Sequence, residues 1–287
     1  MGKFVLSAFA DEAGASLEEQ IAALRRNGIR HMEIRGVNGV SICHTPLDTV
    51  AEYKKQLDAA GIRVITIGSS IGKLTLEDDY NKHLAMFLHT LAVAKILGAT
   101  RIRMFSVFLP QDGQQASHRE LVHTRMKEML DIAEGTGIAL YHENEKDIYG
   151  DVDSRVLDLM DAFGDRMKFI FDPANFIQCG CDPLAIYPAL KSRIAYFHMK
   201  DAMASDGSVV PVGAGDGNIG AILRDFAQDH DNTMLTIEPH LKVFDGLTDN
   251  VSMKEDTKYV YKDNNEAFDA AVAALKGILD KEGLSYE

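Results

Sequence analysis

Four short runs of apolar or β-branched residues each close on a side chain that can ligate a metal. IALYHE ends at Glu143, MKFIFD at Asp172, IAYFH at His198 and TMLTIE at Glu238. Three carboxylates and one imidazole form a hard, mostly oxygen donor set, which suits Mn²⁺, Mg²⁺ or Co²⁺ and admits Zn²⁺. A single acidic residue after a strand is ordinarily a solvated turn residue. Four ligand-type residues closing four consecutive strands, with no Lys or Ser among them, point instead to a shared site. In a (β/α)8 barrel the chemistry sits at the carboxyl ends of the strands, so such residues can converge on one point.

Strand-like and helix-like patterns alternate from end to end in the order that such convergence requires. The expected strands are Phe4–Phe9, His31–Arg35, Arg63–Gly68, Arg101–Ser106, Ile138–Glu143, Lys168–Asp172, Ile194–His198 and Met234–Glu238. Between them, Leu17, Ile21 and Leu24 recur at helical spacing behind a capping box of Ser16 and Glu19, and Asn27-Gly28 supplies a stop. Ser117 and Glu120 repeat the box ahead of a helix closed by Gly135-Thr136-Gly137, and a last helix runs through Phe268, Val272, Leu275 and Leu279. Eight βα units in this order favour an α/β fold of the closed (β/α)8 TIM barrel type over an open sheet. No linker or low-complexity segment divides the chain, so residues 1–287 are expected to form a single barrel domain.

Loop lengths say which face of that barrel is used. The segments after strands run long, at Gly36–Pro46, Phe108–Ala116, Ala202–Gly217 and Pro239–Asn264, whereas the helix-to-strand turns at Asn27-Gly28 and Ala60-Gly61 are tight. The loop after the eighth strand, rich in Asp, Lys and Tyr, reads as a lid or as a disordered surface loop. The glycines at 213, 215 and 217 follow the seventh strand, where barrels often hold phosphate, but the intervening Asp216 argues for turn geometry instead.

With Asp+Glu 43 against Lys+Arg 30, the net charge of −13 opposes binding to nucleic acid or to anionic membrane. Cys43, Cys179 and Cys181 are too few for a disulfide framework and fit a reducing compartment; Cys179 and Cys181 read as small loop residues. Strand-like sequence begins at Phe4 and no apolar run is long enough to span a bilayer, so no signal peptide and a cytoplasmic location are expected. Self-association into a homo-oligomer is left open.

HENE at His142–Glu145, FDPANF at Phe171–Phe176, HMKD at His198–Asp201, VGAGDG at Val212–Gly217 and IEPH at Ile237–His240 follow one another along the chain. Their order and spacing resemble the xylose-isomerase-like barrel superfamily, and within it the sugar phosphate isomerase/epimerase-type proteins, over essentially the whole chain. Such proteins include ketose 3-epimerases and inosose dehydratase. The resemblance implies one divalent ion on Glu143, Asp172, His198 and Glu238. It also implies that Glu143 and Glu238 exchange a proton with a carbon of a sugar or polyol substrate. The usual loop of these proteins has a glutamate where Ala214 stands here, which puts any role of that position in doubt.

Chemistry gives a reason for such a set. Removing a proton beside a carbonyl leaves an enediolate, whose oxygens need a Lewis acid, and two carboxylates can take the proton from one side and return it on the other. Glu145, Asn175, Lys200, His142, His240 and Arg35 are candidates for substrate contacts. Lys200 can stabilise an oxyanion or pair with a carboxylate, and His142 and His240 can orient neighbouring ligands. Glu33 and Arg35, two apart at the end of the second strand, are expected to face the mouth together.

Three other readings compete. A metal-dependent dehydratase of a keto-inositol or keto-sugar would share the first step. A sugar-binding barrel without turnover would keep the fold but not need the ligands. An apurinic-site endonuclease would need histidines that are missing here, with Asn175 in place of one and none closing ITIGSS.

Overall fold

The computed structural model describes residues 2–110, 113–244 and 259–287. Eight parallel strands close on themselves: β1 (Lys3–Ala8), β2 (His31–Ile34), β3 (Arg63–Ile67), β4 (Arg101–Met104), β5 (Ala139–Glu143), β6 (Met167–Phe171), β7 (Ile194–Met199) and β8 (Thr233–Ile237). Each pairs with the next in sequence, and β8 pairs back on β1 with Ala8 opposite Ile237. The helices α1 (Leu17–Arg26), α2 (Leu47–Ala60), α3 (Tyr80–Leu97), α4 (Arg119–Ala133), α5 (Asp153–Phe163), α6 (Pro173–Gln178), α7 (Pro183–Leu190), α8 (Ile219–Phe226) and α9 (Asn264–Lys281) complete a TIM barrel. A final short strand, Ser285–Tyr286, pairs with the start of β1.

The expected strands are present, with ends shifted by a residue or two. Asp172 and Glu238 lie one residue beyond β6 and β8 rather than within them. The capping box forms at α1, where Ser16 accepts from the N–H of Glu19 and the Glu19 carboxylate accepts from the N–H of Ser16. The second box does not. A 3₁₀ turn at Gln115–His118 precedes α4, and the Ser117 hydroxyl donates to the Gln114 carbonyl instead of capping the helix. Most of Pro239–Asn264 falls outside the described residues, so its reading as a lid lies there too.

Alternation along the strands explains the convergence of their ends. Tyr141, Ile170, Tyr196 and Met234 face inward and pack together low in the barrel, under the Arg101 guanidinium. Leu140, Phe169, Phe171, Phe197 and Leu235 face outward into the larger core beneath the helices. Side chains two residues apart on a strand share a face. The inward face of β5, β6 and β7 therefore continues from Tyr141 to Glu143, from Ile170 to Asp172 and from Tyr196 to His198. On β8 it runs from Met234 through Thr236 to Glu238.

Candidate metal centre

Those continuations meet. Glu143, Asp172, His198 and Glu238 are all buried, and each offers a ligand atom within 4.8 Å of those of the other three. His198 Nδ1 lies 2.9 Å from Glu143 Oε1 and 3.3 Å from Glu238 Oε2. Asp172 is fixed as the N-cap of α6, behind Pro173, where its Oδ1 accepts from the N–H of Asn175 at 3.0 Å. The Asn144 side chain clamps the same backbone, donating to the Asp172 carbonyl and accepting from its N–H.

Two oxygens of this cluster, Glu143 Oε2 and Asp172 Oδ2, are buried and accept no hydrogen bond. Cations stand near them, Arg103 Nη1 at 3.1 Å and Lys200 Nζ at 2.9 Å, but without the direction of a hydrogen bond. Buried carboxylate oxygens that accept no hydrogen bond, in a cluster with a third carboxylate and an imidazole, fit a divalent cation. The electrostatics agree. Burial pushes Asp172 up to about 7 against the pull of Lys200, with Glu238 and Glu143 adding repulsion. Burial also works against charge on Glu143, but His198 and Arg103 outweigh it and hold that carboxyl at about 2. Glu238 lies well below its ordinary value, because Lys200, His240 and His198 overcome its burial.

A cavity of about 570 Å³ opens above the cluster. Arg35, Glu145, Asn175, Lys200, Glu238 and His240 line it. Lys200 Nζ reaches both Asp172 and Glu238, the latter at 3.3 Å, while the neighbouring Asp201 turns away. Asn175 donates to Glu143 Oε1 at 3.3 Å and to the Asn144 carbonyl. Glu145 pairs with Lys73 at the rim at 2.9 Å. Arg35 forks onto Asp11 and also reaches Glu12 at 3.0 Å and Glu238 at 3.3 Å. His240 takes a positive φ of 44°, held by its N–H donating to Glu12, and its Nε2 stands 3.4 Å from Glu238 Oε1.

Two expectations are corrected. His142 alternates with Glu143 and so faces away from the mouth, with Nε2 2.9 Å from the Ser106 hydroxyl. Glu33 does not share the mouth with Arg35; two residues earlier on the same inward face, it lies a layer deeper under His198. Arg103 was missed. An arginine within the apolar strand RIRMF was its only signal in the sequence. Glu12, Glu238 and His240 form a second group of possible ligands, but Arg35 already supplies a positive charge there.

The glycine loop after β7 serves the protein itself. Asp201 accepts from the N–H groups of Gly213, Gly215 and Gly217 at 2.8, 3.2 and 2.9 Å. A Cβ at position 215 or 217 would stand 2.5 or 2.7 Å from Asp201 Oδ1, so only glycine lets the loop wrap this closely. These donors are therefore taken, and none of the three is left for a phosphate.

A family model described as xylose isomerase-like TIM barrel matches residues 21–284. No curated protein matches the chain. Among solved structures, the IOLI protein with a bound zinc atom aligns at TM-score 0.72 and 15% identity, over 98% of this chain and 99% of that one. D-allulose 3-epimerase from Methylomonas sp. aligns at 0.70 and 15%, over 97% and 99%. A probable 3-DHS dehydratase from Bacillus anthracis aligns at 0.68 and 15%, over 96% and 98%. At such identities the likeness shows a shared fold. No helix among the described residues is long and apolar enough to cross a membrane.

Proposed function

Because the chain belongs to the xylose isomerase-like TIM barrel family, we propose that it is a divalent-metal-dependent isomerase or epimerase of a sugar or polyol derivative. The observation that carries this reading is the buried Glu143–Asp172–His198–Glu238 cluster with its two oxygens that accept no hydrogen bond, beneath a cavity that Glu238 lines. Residues 1–287 would act as one barrel domain. The zinc-bound and epimerase neighbours are consistent with the reading at the level of the fold.

In this proposal Glu143, Asp172, His198 and Glu238 hold Mn²⁺, Mg²⁺, Co²⁺ or Zn²⁺. The ion would polarise a substrate carbonyl and neutralise charge developing on its oxygen. The chain's own residues do the rest. One of Glu143 and Glu238 removes the proton from the carbon beside the carbonyl, and for epimerisation the other returns a proton to the opposite face. Arg35 and His240, both near Glu238 Oε1, restrain that carboxylate. Asn175 does the same for Glu143 Oε1. Lys200, anchored by Asp172 and Glu238, places a cation where a hydroxyl or enolate oxygen would lie. Glu145 and Arg35 offer an acceptor and a donor for hydroxyls at the rim. An unphosphorylated substrate accords with the filled donors of the glycine loop.

The test is a screen of free keto-sugars in deuterated water with each metal in turn. The proposal expects solvent deuterium at a single carbon, dependent on metal. A new conjugated-enone absorbance would move the assignment to a dehydratase. Absence of exchange and of any product with every metal would sink the enzymatic reading.

A further inference from the structure

Glu33 has no part in the proposed chemistry, yet its side chain is wholly buried inside the barrel. Its Oε2 accepts from the Tyr196 hydroxyl at 3.1 Å and from the Thr236 hydroxyl at 3.1 Å, and lies 3.2 Å from His198 Nε2. Tyr196 and Thr236 come from the inward faces of β7 and β8, directly below His198 and Glu238. Burying a carboxylate is costly unless it is well satisfied, and these donors satisfy it.

We propose that Glu33 is a positioning residue for the metal centre. It holds the Nε2 proton of His198, so that Nδ1 is the nitrogen free to give up its proton for a metal shared with Glu143, Asp172 and Glu238. A carboxylate only accepts, so without a metal both ring nitrogens donate, Nε2 to Glu33 at 3.2 Å and Nδ1 to Glu143 at 2.9 Å. A nitrogen that binds a metal must give up its proton, and Nδ1 is the one that stands among the other candidate ligands, so Nε2 keeps its proton on Glu33. Ring packing supports the same pose. Phe9 meets the imidazole edge-on at 5.2 Å and Tyr196 flanks it at 5.6 Å. The hydroxyls of Tyr196 and Thr236 in turn keep Glu33 from swinging toward the nearby Arg103. Outer partners of this kind typically set metal affinity by 10–100-fold.

The inference rests on the metal-site reading, and the experiment separates the two. Wild type and Glu33→Gln, labelled with ¹⁵N at histidine, are titrated with Zn²⁺ alone by calorimetry, and long-range ¹H–¹⁵N spectra are recorded on the zinc-loaded wild type. The expected results are a proton on Nε2 of His198 with zinc on Nδ1, and zinc affinity weaker by about 10–100-fold in Glu33→Gln. Glu33→Leu, which accepts no hydrogen bond, should lose at least as much, so the amide counts as a partial rescue. A merely structural role would lower stability yet leave both the tautomer and the affinity of the folded protein unchanged, and that result overturns the inference. So does zinc on Nε2, which the wild type reports even if neither variant folds. A wild type that binds no zinc overturns the metal-site reading and this inference together.

Discussion

The two halves of the barrel mouth are built on opposite principles. The ends of β5 to β8 gather carboxylates and an imidazole around one point, and Lys200 is the cation they bring with them. The side formed by β1 to β4 presents cations held between aromatic rings. The Arg35 guanidinium lies 4.6 Å from the Phe244 ring and 4.5 Å from Phe9. The Arg103 guanidinium lies 5.0 Å from the same Phe9 ring and 4.9 Å from Phe105, and the Lys73 ammonium lies 4.4 Å from Phe105. One half carries negative charge that calls for a cation, and the cations of the other reach across to it: Arg103 to Glu143, Lys73 to Glu145, and Arg35, already forked onto Asp11 and Glu12 of its own side, to Glu238. Arg103 depends most on that reach, because a buried charge without a partner costs several kcal/mol. In the proposed reading the ligand half carries the chemistry, and the cation half holds and tunes it.

The largest expected effect strikes at that division. Glu143→Gln and Glu238→Gln each keep the size of the side chain but remove one of the two proposed proton carriers, and at least one of them should slow metal-dependent deuterium exchange by about 10²–10⁴-fold. Exchange at the wild-type rate in both variants would mean that the proton transfer is not housed in the ligand half. Next in size is Arg103→Met, which leaves Glu143 without its 3.1 Å partner and takes away the guanidinium 3.9 Å from Glu238. Breaking a buried pair in this way should cost the metal-free protein about 3–5 kcal/mol in urea unfolding. Saturating divalent ion should shrink the loss, since the ion neutralises the same carboxylates. A loss indifferent to the ion would show that the halves are not coupled through charge.

What could be read from the chain follows the same division. The clustering of Glu143, Asp172, His198 and Glu238 was legible because each interrupts an apolar run with a polar side chain at a strand end, and strand order alone brings such ends together. Arg103 and Glu33 were not, because side-chain pairing between strands leaves no trace in the run of residues. Arg103 meets Glu143 from the neighbouring strand β4, and Glu33 on β2 meets His198 on β7 from 165 residues away. His142 misled because its position beside a ligand looked informative, whereas alternation turns neighbours to opposite faces. The barrel itself was recovered from periodicity, but the Ser117 box was not. The same serine can serve a 3₁₀ turn ahead of the helix or cap the helix itself, and sequence does not choose between them.

A smaller effect tests the aromatic stack directly. Phe9 is shared by Arg35 and Arg103 and also meets the His198 ring, so Phe9→Leu should cost about 2 kcal/mol through lost cation–π contact and packing. The cycle with Arg103→Met isolates the coupling. If the two losses simply add, Phe9 is packing and not a holder of charge.

The smallest effect concerns how the cation half holds the loop that carries Lys73. Gly72 has φ of 90°, and a Cβ there would meet the Phe105 carbonyl oxygen at 2.0 Å, so the loop passes where only glycine fits. The N–H of Gly72 donates to His83 Nε2 at 2.8 Å, which requires a neutral imidazole. Burial, with Arg125 adding to it against Asp78, lowers His83 below its ordinary value of 6.5. The unfolded chain thus takes up a proton at a pH where the folded protein does not. The resulting stability is fully present above about pH 6.5 and is lost as pH falls toward the folded value. In His83→Gln an amide oxygen can accept from Gly72 without titrating. Urea midpoints from pH 8 to pH 5 should therefore fall less steeply in the variant than in the wild type. Parallel curves would show that His83 is not the neutral acceptor that anchors this loop, leaving Phe105 and Glu145 to seat Lys73.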